Sequence, residues 1–176
     1  MGYVKDNFSE SEERELYERA IETEGRCMQY ESEEVRDDYD FWWSLLERDK
    51  RIYIEFASKE LRDDEEFVIK ALRDEADNIK YASLRLRNDK DVCLAVLYEN
   101  HNLLTGFEGD QIRNDYDFMV KLVKEYNWEN IKYASDSLRN NKDFVRAALR
   151  ESSKAKDYIG SDLLEDESFM SEIERY

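Results

Sequence analysis

Proline is absent from this 176-residue chain, and only five glycines interrupt it. Without proline nothing breaks a helix outright, so helices are permitted almost everywhere and no Pro-rich or flexible linker is visible. Histidine occurs once, at 101, and cysteine twice, at 27 and 93. That inventory holds neither a Cys/His cluster for zinc nor a disulfide framework. No run approaches the ~18 consecutive apolar residues that a membrane span needs. The start, Met1-Gly2-Tyr3-Val4-Lys5-Asp6, has no signal-peptide core, and Asp6 stands where a myristoylation signal wants Ser or Thr. A Gly-rich phosphate loop and a nucleophile motif are missing too. The expectation is an intracellular protein off the membrane, with no cofactor, no metal and no catalytic residue.

What is present is repetition. Leu61-Arg62-Asp63-Asp64-Glu65-Glu66-Phe67 returns as Leu86–Val92, Ile112–Phe118 and Leu138–Phe144, and appears earlier as Val35–Phe41. The anchors at 35, 61, 86, 112, 138 and 163 are 26, 25, 26, 26 and 25 residues apart. A fixed period of this kind is the signature of a repeat array. With 41% apolar and 13% aromatic residues the chain can bury a core despite 40% charged residues.

Each part of the heptad has a physical task. The Asp or Asn two residues after the anchor is of N-cap type. An acid follows three residues later (Asp40, Glu66, Asp91, Asp117, Asp143), where a capping-box partner sits. Phe67, Val68, Ala71 and Leu72, matched by Phe118, Met119, Leu122, Val123 and by Phe144, Val145, Ala148, Leu149, form the apolar stripe of an amphipathic helix. A second, shorter helix carries an aromatic five residues before each anchor: Tyr30, Phe56, Tyr81, Phe107, Tyr133, Tyr158. From Phe56 to Tyr158 this row is expected to line one continuous inter-repeat core. The fold class is therefore all-α, a short α-solenoid of two-helix repeats with degenerate caps at both ends.

Residues 1–34 read as an acidic N-terminal capping repeat, 35–163 as five tandem repeats, and 164–176 as a C-terminal capping helix carrying Phe169, Met170 and Ile173, all in one continuous domain. In the first segment Ser9-x-x-Glu12 forms a capping box, and Leu16 and Ala20-Ile21 take the places of Phe67 and Ala71-Leu72. Residues 99–111 fit helix poorly: Gly106 and Gly109 interrupt while Leu103, Leu104 and Phe107 remain apolar, so a loop or kink is expected there.

The net charge is −17, and residues 1–34 alone carry 11 acids against 4 bases. The Arg row (Arg36, Arg62, Arg87, Arg113, Arg139) offers a phosphate ladder, but each Arg also lies beside acids and within reach of a neighbouring repeat, and internal pairing is the expected use. The Asp-rich heptad lacks the EF-hand spacing and its central Gly, so its acids read as caps. Trp42 and Cys93 fall in rows that are apolar in every repeat, and Cys27 reads as a small hydrophobe like Cys93. Trp43 and Trp128 fall outside those rows and are candidate partner-binding residues, together with Glu10, Glu12, Glu13, Glu15 and Glu18 of the first helix.

The alternation of Leu-Arg-Asp-Asp-x-x-Phe-Val-x-x-Ala-Leu at 61–72 with Ile-Lys-Tyr-Ala-Ser-x-x-Leu at 79–86, and again at 131–149, resembles a tandem-repeat family catalogued as domain of unknown function 4116. The resemblance runs over about 35–163 and implies the helical-repeat fold; it brings no catalytic residue. The function expected is non-enzymatic binding of a basic protein, one that handles nucleic acid, by an acidic inhibitor imitating phosphate charge in the manner of phage anti-defence proteins. Two other readings stay open: a structural adaptor whose acidity serves solubility, and a carboxylate-based enzyme. Direct nucleic-acid binding is not expected of so acidic a chain.

Overall fold

The computed structural model describes residues 9–48, 51–97, 107 and 109–176. Every regular element among them is helical, and the chain is all-α. It divides into two compact units, Met1–Leu86 and Arg87–Tyr176.

In the first unit α1 (Glu10–Glu22) starts at the Ser9 capping box: the Ser9 hydroxyl accepts from Glu12 N–H, and the Glu12 carboxylate accepts from Ser9 N–H at 3.0 Å. Leu16 and Ala20 are its buried residues, as their repeat positions predict. A 3-10 turn (Arg26–Tyr30), the one-turn α2 (Glu33–Arg36) and α3 (Tyr39–Arg48) follow. Trp42 of α3 is fully buried and donates its indole N–H to the Arg36 carbonyl at 3.0 Å. Two more 3-10 turns (Ile54–Phe56, Leu61–Asp63), α4 (Glu65–Asp74), and a 3-10 helix (Ala76–Tyr81) continue the unit. The one-turn α5 (Leu84–Arg87) lies where the two units meet in sequence.

The second unit repeats the plan. Its elements are α6 (Lys90–Leu97), α7 (Asp110–Arg113), α8 (Tyr116–Lys121) running on into a π-helical turn, α9 (Asp136–Arg139), α10 (Lys142–Glu151), α11 (Ser161–Leu164) and α12 (Glu167–Ile173). The 3-10 helices Trp128–Tyr133 and Ser153–Tyr158 separate them. A repeat is thus a long helix, a 3-10 turn and a one-turn helix rather than two helices.

Three expectations change. The N-cap stands three residues after the anchor, not two: Asp38, Asp64, Asp115 and Asn141 accept from Phe41, Phe67, Phe118 and Phe144 N–H at 2.8–3.1 Å. The acids at Asp40, Glu66, Asp91, Asp117 and Asp143 therefore fall on the second helical residue and are exposed. The aromatic row is not a continuous core: Phe107 is buried, but Phe56, Tyr81, Tyr133 and Tyr158 are half-buried and Tyr30 is 82% exposed. The core row lies two residues earlier and one later, at Ile54 and Ala57, Ile79 and Ala82, Ile131 and Ala134. A 3-10 helix turns every three residues, so positions three apart share its inner face and the aromatic between them swings to the rim. The break expected over 99–111 falls mostly outside the described residues, as do His101, Leu103, Leu104 and Gly106; residues 110–113 are helical.

The residue two after the anchor has a different task, tying one repeat to the next. Ser58, Ser83 and Ser135 donate their N–H to the carbonyls of Arg36, Arg62 and Arg113, each at 2.8 Å. Their hydroxyls bond Asp37, Asp63 and Asn114, and accept from Leu61, Leu86 and Leu138 N–H. Where the serine is replaced by glycine, at 109 and 160, an asparagine fills the space. A Cβ at Gly109 would lie 1.2 Å from Asn88 Oδ1, and one at Gly160 2.2 Å from Asn140 Oδ1. Asn140 Oδ1 itself accepts from Asp162 and Leu163 N–H at 3.0 and 3.3 Å, replacing the serine cap.

This substitution pattern fixes an unusual ranking. Gly160→Ala should cost about 1–3 kcal/mol, because the methyl displaces Asn140 and breaks its bonds to the Asp162 and Leu163 N–H groups. Gly160→Ser, although bulkier, should cost less, since its hydroxyl caps Leu163 and bonds Asn140 as Ser135 bonds Asn114. Urea unfolding of both variants checks the order; serine costing more than alanine would contradict the exchange.

In four repeats the residue opening the long helix adds a second link, lying over the phenylalanine of the following repeat. Tyr39 faces Phe67 at 6.0 Å and Tyr116 faces Phe144 at 6.2 Å between ring centroids. Lys90 Nζ lies 5.5 Å above the Phe118 ring and Lys142 Nζ 5.7 Å above Phe169. The same lysines pair with the N-cap acids Asp115 and Asp166 of those repeats.

Candidate protein-binding surfaces

The acids of the chain fall into two groups. Several of those in the repeats serve the fold, while others, among them Asp40, Glu66, Asp91 and Asp117, are exposed. Asp63 is held by Ser83 and Arg85, Asp115 by Lys90 and Phe118 N–H, and Asp166 by Lys142 and Phe169 N–H. These bonds favour the carboxylates and hold all three below the usual range.

The acids of α1 are placed differently. With Leu16 and Ala20 turned inward, Glu10, Glu12, Glu13, Glu15 and Glu18 are all exposed. Glu12 is engaged in the capping box, where the Ser9 hydroxyl and then its amide lower its pKa. Glu18 pairs with Arg14 at 3.1 Å, both well exposed, a contact worth little in solvent. Glu13 accepts from the Tyr17 hydroxyl at 3.4 Å, at the edge where Tyr17 stacks on Phe41 and Arg48 lies 4.8 Å over the Tyr17 ring. Glu10 and Glu15 project into solvent and pair with no cation among the described residues, leaving the helix with an acidic face.

Trp43 and Trp128 are both half-buried and sit in different units. Trp43 stacks on Tyr39 at 5.5 Å and 17°, and its indole N–H reaches Glu47 at 3.1 Å. Trp128 tilts against Tyr158 at 6.4 Å. Trp43 is braced within its own repeat and Trp128 by the following one, so neither is a free anchor standing clear of the surface.

Three members of the Arg row bond internally. Arg62 donates to the Tyr81 carbonyl at 3.5 Å and Arg113 to that of Tyr133 at 2.9 Å, while Arg139 pairs with Asp136. Cys93 is fully buried, which pushes its thiol up to about 12 and leaves it inert, and Cys27 is half-buried. Among the described residues no group of three or more His, Cys, Asp or Glu side chains is arranged to hold a metal. A depression of about 490 Å³ lined by Lys59, Glu60, Arg62, Asp63, Tyr81, Ala82 and Ser83 is the repeat junction itself, its polar groups bonded to one another. No helix among the described residues is long and apolar enough to cross a membrane.

Two features went unread in the sequence. Asn78 and Asn130 are the buried polar side chains of the core, and their signal was the shared Asn-Ile-Lys-Tyr-Ala-Ser string at 78–83 and 130–135. The other is an aromatic corner, in which the Tyr53 and Tyr81 rings meet at 6.2 Å and 78° with Lys80 beside both.

No curated protein and no solved structure matches the chain. A family model matches it in four stretches, residues 13–62, 44–84, 64–105 and 115–164, together well over half its length. Those stretches carry the repeated caps, core rows and inter-repeat bonds described above, and the chain belongs to the family described as a domain of unknown function, DUF4116.

Proposed function

We propose that this is a non-enzymatic protein-binding repeat protein that engages a basic partner through the acidic face of α1. The observation that carries the reading is the contrast between the two groups of acids. The capping and junction carboxylates of the repeats are bonded within the fold, whereas those of α1 crowd a solvated face at a cost of roughly 0.2–0.5 kcal/mol for each like-charged i, i+3 or i, i+4 pair. A surface of one sign steers a partner of the other sign. A partner that handles nucleic acid presents a groove built for phosphates, and a row of carboxylates suits it.

The test is capture of basic proteins from a lysate with and without nuclease, followed by association kinetics on the purified partner. Replacing Glu10, Glu13, Glu15 and Glu18 by lysine, with Glu12 kept for the cap, should lower the on-rate at least tenfold at low salt and leave the helical circular dichroism unchanged. Nucleic acid should compete for the same partner. Binding that ignores both the reversals and the salt would exclude steering by α1 and favour an adaptor that docks through apolar surface.

A further inference from the structure

Lysine followed by tyrosine recurs in the 3-10 helices as Lys80-Tyr81 and Lys132-Tyr133, and both lysines lie over the ring of their own neighbour, at 5.0 and 4.9 Å. The first unit adds a second wall. Tyr53, from the preceding repeat, meets Tyr81 nearly at right angles, and Lys80 Nζ sits 5.4 Å from the Tyr53 ring as well. Tyr53 stands at the register of Asn78 and Asn130, a position that holds Leu104 in the repeat before Lys132, so the second wall is particular to this place in the chain. Acids gather round it. Glu75, Asp77 and Glu24 all act on the Tyr53 phenol, and Asp77 lies 3.7 Å from the Lys80 ammonium. Two ring faces with carboxylates at the rim attract a cation.

The cation now in the corner is not locked there. The Lys80 side chain is 51% exposed, and its ion pair with Asp77 is long and exposed. Lysine is a compact, strongly hydrated charge, whereas a guanidinium is planar and weakly hydrated, lies flat on a ring and points several N–H donors at carboxylates. We infer that the corner formed by Tyr53 and Tyr81, with Glu24, Glu75 and Asp77 at its rim, is a binding site for an arginine side chain of the partner, and that Lys80 occupies it in the free protein. The inference rests on the basic-partner reading and gives it a point of contact: α1 draws the partner in, and the corner selects arginine over lysine.

The probes are two capped peptides of alternating glycine and arginine, or glycine and lysine, titrated calorimetrically into the full chain. The arginine peptide should bind more tightly. Tyr53→Leu should weaken it about three- to tenfold and erase the preference over the lysine peptide, and Tyr53→Phe should restore both. Lys80→Gln, a change at an exposed side chain, should tighten the arginine peptide severalfold by vacating the corner. Equal affinity for the two peptides, no loss in Tyr53→Leu, or weaker binding in Lys80→Gln would each overturn the site. The α1 reversals separate the two ideas. If they weaken both peptides while Tyr53→Leu changes nothing, the corner falls and steering stands. If Tyr53→Leu abolishes the preference while the reversals change nothing, the corner stands and steering falls.

Discussion

Truncating Phe144 to alanine is expected to lower the unfolding free energy by about 3–5 kcal/mol, the range for a buried aromatic ring. Phe144 is fully buried on α10, in the row shared with Phe67, Phe118 and Phe169. Its amide is bonded by the Asn141 cap, so the ring is held at a defined height on the helix. Tyr116 of the preceding repeat lies over it at 6.2 Å, and removing the ring strips Tyr116 of its support while opening a cavity beneath. Tyr158→Ala, at the half-buried rim, should cost distinctly less. Urea unfolding of the two variants measures the difference. A Phe144→Ala loss below about 1.5 kcal/mol, or one no larger than that of Tyr158→Ala, would remove the ring from the core.

The ring's place was readable because long helices repeat at 3.6 residues, and the stripe Phe144, Val145, Ala148, Leu149 obeys that period. The same reasoning separated Trp42, fully buried, from Trp43, which is not, and found the Ser9 capping box. It failed on the connecting segments for two physical reasons. Asp or Asn fills both positions before each long helix, as in Asp63-Asp64, Asn88-Asp89 and Asn140-Asn141, so residue type does not say which one caps. Only the backbone does: Asp37 closes a one-turn helix at φ −101°, ψ 0°, whereas Asp64 is extended at φ −83°, ψ 123° and begins α4. The aromatic row is not the core row because these segments wind as 3-10 helices, where Ile79 and Ala82 eclipse and Tyr81 does not. The acids of α1 were visible as a cluster, but their availability was not, since it depends on which other acids the junctions consume. The Tyr53–Tyr81 corner joins residues 28 apart, and no local pattern marks it.

Asn78 should prove nearly as sensitive as the phenylalanines, for a different reason. It is fully buried, and its amide bonds three backbone groups. Oδ1 accepts from Ile54 N–H at 2.9 Å, and Nδ2 donates to the carbonyls of Ile52 at 3.0 Å and Ala71 at 3.2 Å. The side chain thereby ties its own 3-10 helix to the end of α4 and to the preceding repeat. Asn78→Ala takes this partner from the Ile54 N–H and the Ile52 carbonyl and leaves the Ala71 carbonyl with the Glu75 N–H alone, which is expected to cost about 2–4 kcal/mol. Asn78→Asp separates hydrogen bonding from shape. A carboxylate still accepts from Ile54 but has no donor for the two carbonyls, and it carries a charge into the core. Burial and the facing carbonyls raise its folded-state pKa above the unfolded value, so the folded state binds the proton more tightly. The deficit of Asn78→Asp relative to the parent should therefore be largest at neutral pH and shrink as pH falls through that raised pKa, while the deficit of Asn78→Ala stays level. Unfolding free energies of the three proteins at pH 5 and pH 7.5 test this. A pH-independent gap between Asn78→Asp and Asn78→Ala would mean that the carboxylate reaches water, and that Asn78 is not the closed clamp its bonds describe.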